Sequence, residues 1–506
     1  MGRIVMSEVD YADIQGLVRF GYGRMTTASY VIVKIKDPAA AKTWLRAAPV
    51  TSAVVLKAPP KAALNIAFTA PGLRELGVPN SIIDGFSHEF RGGMAQESRA
   101  RQLGDVKHND PSTWLWGRYK QEPHAVVMFF AEPDEFDSFV QSTKGNFWAD
   151  AFEELKTLGT SNLDGDEPFG FADGISQPQL DWDQQRQTPC TQLEYTNVVA
   201  LGEFLLGYRN EYGKITDRPL LEPDAASARL LAAEDAPDKK DLGRNGTYLV
   251  MRQLEQDVRE FWKFLYEEAS DNLAAASQLG AKMVGRTQTG NPLVPVDGQP
   301  IPGTDPGSAK QNQFTYESDP VGASCPFGAH IRRTNPRNSD FPEQRVGLLR
   351  KLIIMFGFGP KGFYNDLTSS VRFHRILRRG REYGSELPPE QALEPAPEKE
   401  PPRGLNFICL NANISRQFEF LQNAWIASTK FSGLTHESDP LLGNRESIPG
   451  CPVTGNFTMP REGTLPRRVS GLRQFVTVKG GAYFFLPSLR ALRYFAETGT
   501  AAINSS

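Results

Sequence analysis

Ala125-Val126-Val127-Met128-Phe129-Phe130-Ala131, followed at once by Glu132-Pro133-Asp134, reads as a strand that turns directly into a helix. The acidic residues and the proline suit a helix N-terminus, and the amphipathic pattern carries the helix to about Ser142. The same arrangement recurs in three other places. Ser29–Lys36 (SYVIVKIK) leads through Asp37-Pro38 into a helix with Trp44 and Leu45. Thr247–Arg252 (TYLVMR) leads into a helix expected over 254–268, with Val258, Phe261, Trp262, Phe264 and Leu265 at helical spacing. Leu405–Leu410 (LNFICL) leads into 414–426, where Phe418, Leu421 and Trp425 form a stripe. Two strand–helix units per half predict a duplicated α+β chain, each sheet covered by helices on one face. The join between the halves is expected near 190–200.

The composition narrows the function classes. The 506 residues carry 56 Lys+Arg against 59 Asp+Glu, a net charge of −3, which argues against a dedicated nucleic-acid binder. With 40% apolar and 23% charged residues, the chain is an ordinary globular protein. The four cysteines, Cys190, Cys325, Cys409 and Cys451, are far apart, which excludes a disulfide framework and a cysteine-built zinc site. No signal-peptide pattern opens the chain and no apolar run approaches a membrane span, so a cytoplasmic protein with no membrane partner is expected. Glu222–Lys240 reads as an insertion, helical in its middle. Pro295–Pro320 reads as a surface loop, and Pro388–Pro402, with six prolines and four glutamates, is too stiff and polar for a core.

The chemistry is confined to a few places. There is no HExxH, GxSxG, phosphate-binding loop or GxGxxG after a strand, so the common hydrolase and nucleotide readings fail. Gly170-Phe171-Ala172-Asp173-Gly174-Ile175-Ser176-Gln177-Pro178 projects one carboxylate between glycines that allow close backbone approach, although Asp-Gly equally makes a turn. Cys325-Pro326-Phe327-Gly328-Ala329-His330-Ile331-Arg332-Arg333-Thr334-Asn335-Pro336-Arg337 sets one imidazole beside cations. A neutral imidazole can ligate iron, and the arginines could hold haem propionates; a core histidine beside a solvated basic face reads the same way. In Phe373-His374-Arg375-Ile376-Leu377-Arg378-Arg379-Gly380-Arg381, strand alternation puts Arg378 on one face with His374 and Ile376. Most of the arginines there must be paired or solvated.

Taken together, these three segments resemble the dye-decolorising peroxidase family. GFADG fits its GxxDG motif, CPFGAHIRRTNPR its proximal-histidine segment and RILRRGREYG its distal-arginine segment, with further likeness at Gly202–Gly213 and Gly481–Ser488. Ala172 stands where that family often has arginine. The bulky insertions resemble its larger, advanced subgroup. The resemblance implies a pair of ferredoxin-like α+β domains of the dimeric α+β barrel type, here 11–195 and 196–500. It places one haem b in the C-terminal half, with His330 as iron ligand and His374 as the rival. It further implies Asp173 and Arg378 as the catalytic pair, with Phe171 and Arg332 against the cofactor. Glu419 is the expected carboxylate partner of His330. The implied substrates are hydrogen peroxide and bulky aromatic donors, oxidised one electron at a time through a ferryl intermediate. Trp114, Trp116 or Tyr383 would relay electrons from the surface. A haem-handling protein with incidental peroxidase activity is the alternative.

Overall fold

A computed structural model describes residues 8–186, 196–294, 309–337, 371–446 and 454–498. The expected join and two of the cysteines, Cys190 and Cys451, fall wholly or partly outside these segments.

In the N-terminal half, β1 (Thr27–Ile35), β2 (Ala62–Phe68), β3 (Ala125–Ala131) and β4 (Phe152–Gly159) form an antiparallel sheet in the order β2-β3-β1-β4. Helices α1 (Pro38–Ala47) and α2 (Pro133–Lys144) follow β1 and β3 as the sequence predicts. Asp37 starts α1 by accepting the Ala39 and Ala40 N–H groups, with Pro38 in the first turn, where its missing N–H costs nothing. A small hairpin follows, β5 (Asp166–Glu167) against β6 (Phe171–Ala172).

The C-terminal half repeats the plan. Its long strands are β7 (Thr247–Gln256), β10 (Gly404–Asn411) and β11 (Val476–Leu486), with the short β8 (Leu377–Arg378) and β9 (Arg381–Tyr383) on the outer edge of β10. Helix α3 (Val258–Glu268) follows β7. The strand runs to Gln256, beyond the expected helix start at 254, because Asp257 is the residue that caps α3, accepting the Glu260 N–H. Helix α4 (Leu273–Val284) comes next. After β10 the chain forms π-helical turns at Ser415–Glu419 and Leu421–Ala427 rather than a regular α-helix. The two sheets join edge to edge through the pair Phe485↔Phe68. This is the expected α+β class, antiparallel sheets with peripheral helices.

One expectation about packing is corrected. Both faces of the sheet are buried. Val31, Val33, Leu64, Ile66, Val127 and Phe129 pack on the helix side. Tyr30, Ile32, Ala63, Ala67, Met128 and Phe130 pack on the other, beneath Leu17, Val18, Tyr22, Phe204 and Leu205. That explains why every residue of β3 is buried and why its sequence is apolar without alternation. Trp44, Trp262 and Trp425 are core residues, as their stripes imply.

The insertions also differ from expectation. The 222–240 segment forms turns and a two-residue ladder, Leu220–Leu221 with Lys240–Asp241, instead of a helix. Its fixed point is Arg218, ion-paired to Asp235 and Asp241. The described part of 295–320 is no surface loop: Phe314 and Tyr316 pack with Cys325 and Ala329. The 388–402 segment is mostly exposed. Among the described residues no helix is long and apolar enough to cross a membrane.

Candidate active site

A cavity of about 260 Å³ lies over the C-terminal sheet. Its apolar walls are Phe171, Leu254, Ile376, Phe407, Phe418 and Leu421. Asp173, His330, His374 and Arg378 all line it, so segments more than 200 residues apart in sequence meet in one space.

On one wall, Asp173 Oδ1 accepts from Arg378 Nη1 at 2.6 Å. Gly170 and Gly174 flank the carboxylate at φ +86° and +78°, left-handed conformations open to glycine at little cost. The Asp173 side chain is 41% exposed, and it lines the cavity. Burial within the protein pushes its carboxyl up, but the Arg378 charge and hydrogen bond, the Gly174 N–H and the more distant His330 outweigh this and hold it below the usual carboxylate value. Gln177 fixes the spacing of the pair: its Oε1 accepts the Arg378 N–H at 3.1 Å, and its Nε2 donates to the Arg378 carbonyl at 3.2 Å. The side-chain amide thus substitutes for a neighbouring strand at β8. Arg379 and Arg381 turn away and donate to backbone carbonyls of Leu17, Val18, Tyr22 and Met25.

On the other wall, His330 opens a five-residue helix, α5 (His330–Thr334). Its Nδ1 lies 2.9 Å from Asp439 Oδ2. Asp439 is fully buried, and its Oδ1 accepts the Leu441 and Leu442 N–H groups, both at 2.9 Å. Burial opposes ionisation of Asp439, yet the His330 charge and hydrogen bond, Arg333 and the Leu442 N–H hold its carboxyl low. Burial likewise opposes protonation of His330, and Asp439 more than offsets it, raising the imidazole. Arg333 grips the Trp425, Ser428 and Glu437 carbonyls, fixing the loop that carries Asp439. With Nδ1 tied to a carboxylate, Nε2 is the nitrogen free to bind a metal, in the arrangement typical of ligating histidines.

The expected partner of His330, Glu419, is elsewhere. Its Oε1 accepts from Arg99 Nη1 at 2.6 Å and from Tyr483 Oη at 2.7 Å. It is buried and absent from the cavity wall. The π-helical winding of 415–419 turns it inward toward β11, which is why a charge appears on an apolar stripe. Arg332 is corrected as well. It is buried between the Tyr316 and Phe327 rings, with its guanidinium 4.3 and 4.4 Å from their centroids. It donates to Asp319 and to the Cys325 carbonyl, which leaves it outside the cavity. Trp114 and Trp116 are buried, with their indole N–H groups satisfied by the Asn109 carbonyl and Gln253. Tyr383 is half-buried and bonded to the Leu254 carbonyl.

Other cations line the cavity instead: Arg337 from the same segment as Arg332, Arg375 from the arginine-rich one, and Arg286, which the sequence reading passed over. Arg286 is 3% exposed, and its guanidinium is held by the Gly290 and Gln311 carbonyls and Ser176 Oγ. Burial, together with repulsion from Arg337 and Arg378, lowers it to about 10. A buried cation with neutral partners and cationic neighbours favours an anionic ligand in the cavity. His374 also lines it, stacked on Phe420 at 3.7 Å with Nδ1 against the Arg416 carbonyl.

Known proteins share this plan. Residues 13–161 match the family model of the DyP dimeric alpha+beta barrel domain. A dye-decolorizing peroxidase of Auricularia auricula-judae is 29% identical over 97% of this chain and 87% of its own length. A multifunctional dye peroxidase of Amycolatopsis sp. is 30% identical over 85% of this chain and 81% of its own. This chain belongs to the dye-decolorizing peroxidase family. The likeness extends to three dimensions: a crystal structure of the Auricularia family member superimposes with a TM-score of 0.72 at 28% identity, covering 96% of this chain and all of that one. As a family member, the chain is a peroxidase.

Proposed function

We propose that the chain is a haem b enzyme that reduces hydrogen peroxide and oxidises bulky aromatic donors. The observation that carries this reading is the joint arrangement of one cavity: an Arg378–Asp173 pair on one wall and an Asp439-backed imidazole on the other. The cavity fits haem by its donor set. It has an imidazole with a free Nε2, aromatic and aliphatic walls, and buried guanidiniums suited to propionates. His330 is the ligand in this reading, Phe171 lies against the macrocycle, and Arg286, Arg337 and Arg375 hold its carboxylates. Bound haem supplies the two electrons that reduce peroxide and then takes electrons singly from donors.

The chain's own residues manage the proton. Asp173, held ionised by Arg378, takes a proton from the incoming peroxide on the oxygen not engaged by Arg378, Oδ2. It returns that proton to the departing oxygen, which leaves as water, so one carboxylate serves as base and then acid. Arg378 donates to the oxygen on which negative charge develops. The donor class draws support from a family member 26% identical to this chain, solved in complex with 2,6-dimethoxyphenol.

The test is an absorption spectrum of the haem-loaded protein before and after rapid mixing with one equivalent of peroxide. A fast change in the Soret band, reversed by a phenolic or anthraquinone donor, is expected. Haem binding without reaction would leave a haem-handling protein, and failure to bind haem would remove the reading altogether.

A further inference from the structure

Glu167 is a carboxylate of the same cavity that this chemistry leaves unused. Its Oε1 accepts the Phe171 N–H at 3.1 Å; its Oε2 accepts the Phe169 N–H at 3.1 Å and Gln256 Nε2 at 2.6 Å. The two backbone bonds close the turn of the β5–β6 hairpin from its inner side. In that ladder Glu167 faces Phe171 and Asp166 faces Ala172. The next residue is Asp173, tied by its own N–H to the Gly165 carbonyl at 2.9 Å. The loop that presents the distal carboxylate is therefore held at its base by the Glu167 side chain.

Gln256 makes this more than a turn. It ends β7, is buried, and lines the cavity, and its Oε1 has no hydrogen-bond partner. A carboxamide offers a donor at one end and an acceptor at the other, and rotation by half a turn exchanges them. Facing an ionised Glu167, Gln256 donates from Nε2; facing a protonated Glu167, it accepts the carboxyl O–H on Oε1. Either protonation state then keeps a partner, where a fixed donor would leave one of them unsatisfied.

We infer that Glu167, paired with Gln256, is a positioning residue for Asp173 that also places a titrating proton beside it. The inference rests on the reading of Asp173 as the group that moves the peroxide proton. The electrostatics agree with it. Burial, with the Asp173 charge adding to it, pushes Glu167 up to about 7 against the bonds from Gln256, Phe169 and Phe171. The charge that acts on it is Asp173, paired to Arg378; its strand neighbour Asp166 feels Asp164 and Glu386, and the Arg252–Asp105 pair lines the same cavity. Helix α3 packs on Phe169 of the same hairpin through Phe261 and Trp262. An ionised Glu167 makes Asp173 a stronger base, so the peroxide step runs faster above the Glu167 titration than below it.

The experiment uses the haem-loaded full chain and measures kcat/KM for peroxide from about pH 5 to about pH 9 in the wild type and in Glu167→Gln, Glu167→Ala and Gln256→Leu. Wild type should rise roughly two- to fivefold through an inflection near neutrality. Glu167→Gln keeps an acceptor for one of the two turn N–H groups, so it should retain more of the rate than Glu167→Ala and lose the inflection. Glu167→Ala should fall by about tenfold to a hundredfold at every pH, with Glu167→Gln as its rescue. Gln256→Leu should move the inflection to higher pH, because the bond lost from the ionised form is charge-assisted and stronger than the one lost from the neutral form. Difference infrared spectra across the same range should show a carboxyl band that Glu167→Gln abolishes, whether or not haem is bound. An inflection or band that survives in Glu167→Gln overturns the assignment, as does a wild type without either. A wild type that binds haem and ignores peroxide while keeping the band would overturn the peroxidase reading and the coupling to Asp173, but leave the titration of Glu167 standing.

Discussion

The two walls of the cavity are built on opposite plans. Asp173 and Arg378 come from different halves of the chain, 205 residues apart, and both face the open space. His330 and Asp439 come from one half, 109 residues apart, and the carboxylate is sealed off. The first wall is an ion pair left open to the cavity, its charge within reach of whatever enters. The second is a buried brace, with Asp439 satisfied on both oxygens before anything binds. Geometry on the Asp173 wall thus depends on docking of the two halves through Gln177. On the His330 wall it depends on the turn that begins at Asp439 and on Arg333, which anchors the loop carrying it.

If this contrast holds, truncating the brace's imidazole has the largest effect. His330→Ala should abolish stable haem retention and with it peroxide turnover, read from the Soret band after gel filtration; retention of the native spectrum would move the ligand to another residue. Asp173→Asn comes next. It should keep haem and lower kcat/KM for peroxide by roughly 10² to 10⁴, the range for loss of a positioned base.

Arg378→Leu should cost about 10² to 10³ and shift the pH profile as well. Asp173 is held below its ordinary value of 3.8 despite burial, and it acts only when ionised, so wild-type activity should persist to pH values below that figure. Without Arg378 the carboxyl rises, and the acid limb should move up with it. An unmoved limb in Arg378→Leu would assign the acid limb to another group and weaken the pairing.

The same contrast explains what the sequence made legible. Asp173 and Arg378 sit in short segments whose residue types announce them: glycines on each side of one carboxylate, and a run of arginines in a strand. The brace has no such mark. Asp439 lies in His436-Glu437-Ser438-Asp439-Pro440, and the available signal was the Asp-Pro pair, since an aspartate before proline commonly accepts N–H groups two and three residues on, as it does here. Which histidine that turn would meet is a tertiary fact. Glu419 misled because regular helical periodicity was assumed through 414–426, where the backbone is π-helical at Ser415–Glu419 and Leu421–Ala427 and the faces rotate. Arg332 misled because arginines two apart from a ligand look equivalent on paper. Packing sends Arg332 between two rings and leaves Arg337, at the end of the same segment, on the cavity wall. The strand–helix units themselves were readable because each begins with a cap or an apolar run; the second buried face of the sheet was not, since it is covered by one-turn helices, Gly16–Arg19 and Leu201–Glu203, and the loops beside them.

The smallest of these effects separates the two buried carboxylates that compete as the brace. Asp439→Asn removes the charge behind His330 but keeps its shape, so haem affinity or turnover should fall by about 10- to 100-fold, as for other supports of a metal ligand. The Soret and charge-transfer bands should shift as the imidazole loses basicity. Glu419→Gln leaves Arg99 buried without its carboxylate, and removing one member of a buried ion pair costs about 3 to 5 kcal/mol of stability. Its signature is therefore a lower melting temperature with an unchanged haem spectrum. Both variants damage the protein, and only the spectrum tells which carboxylate stands behind the proposed iron ligand. A spectral shift in Glu419→Gln with none in Asp439→Asn would reverse the assignment and restore the partner first expected from the sequence.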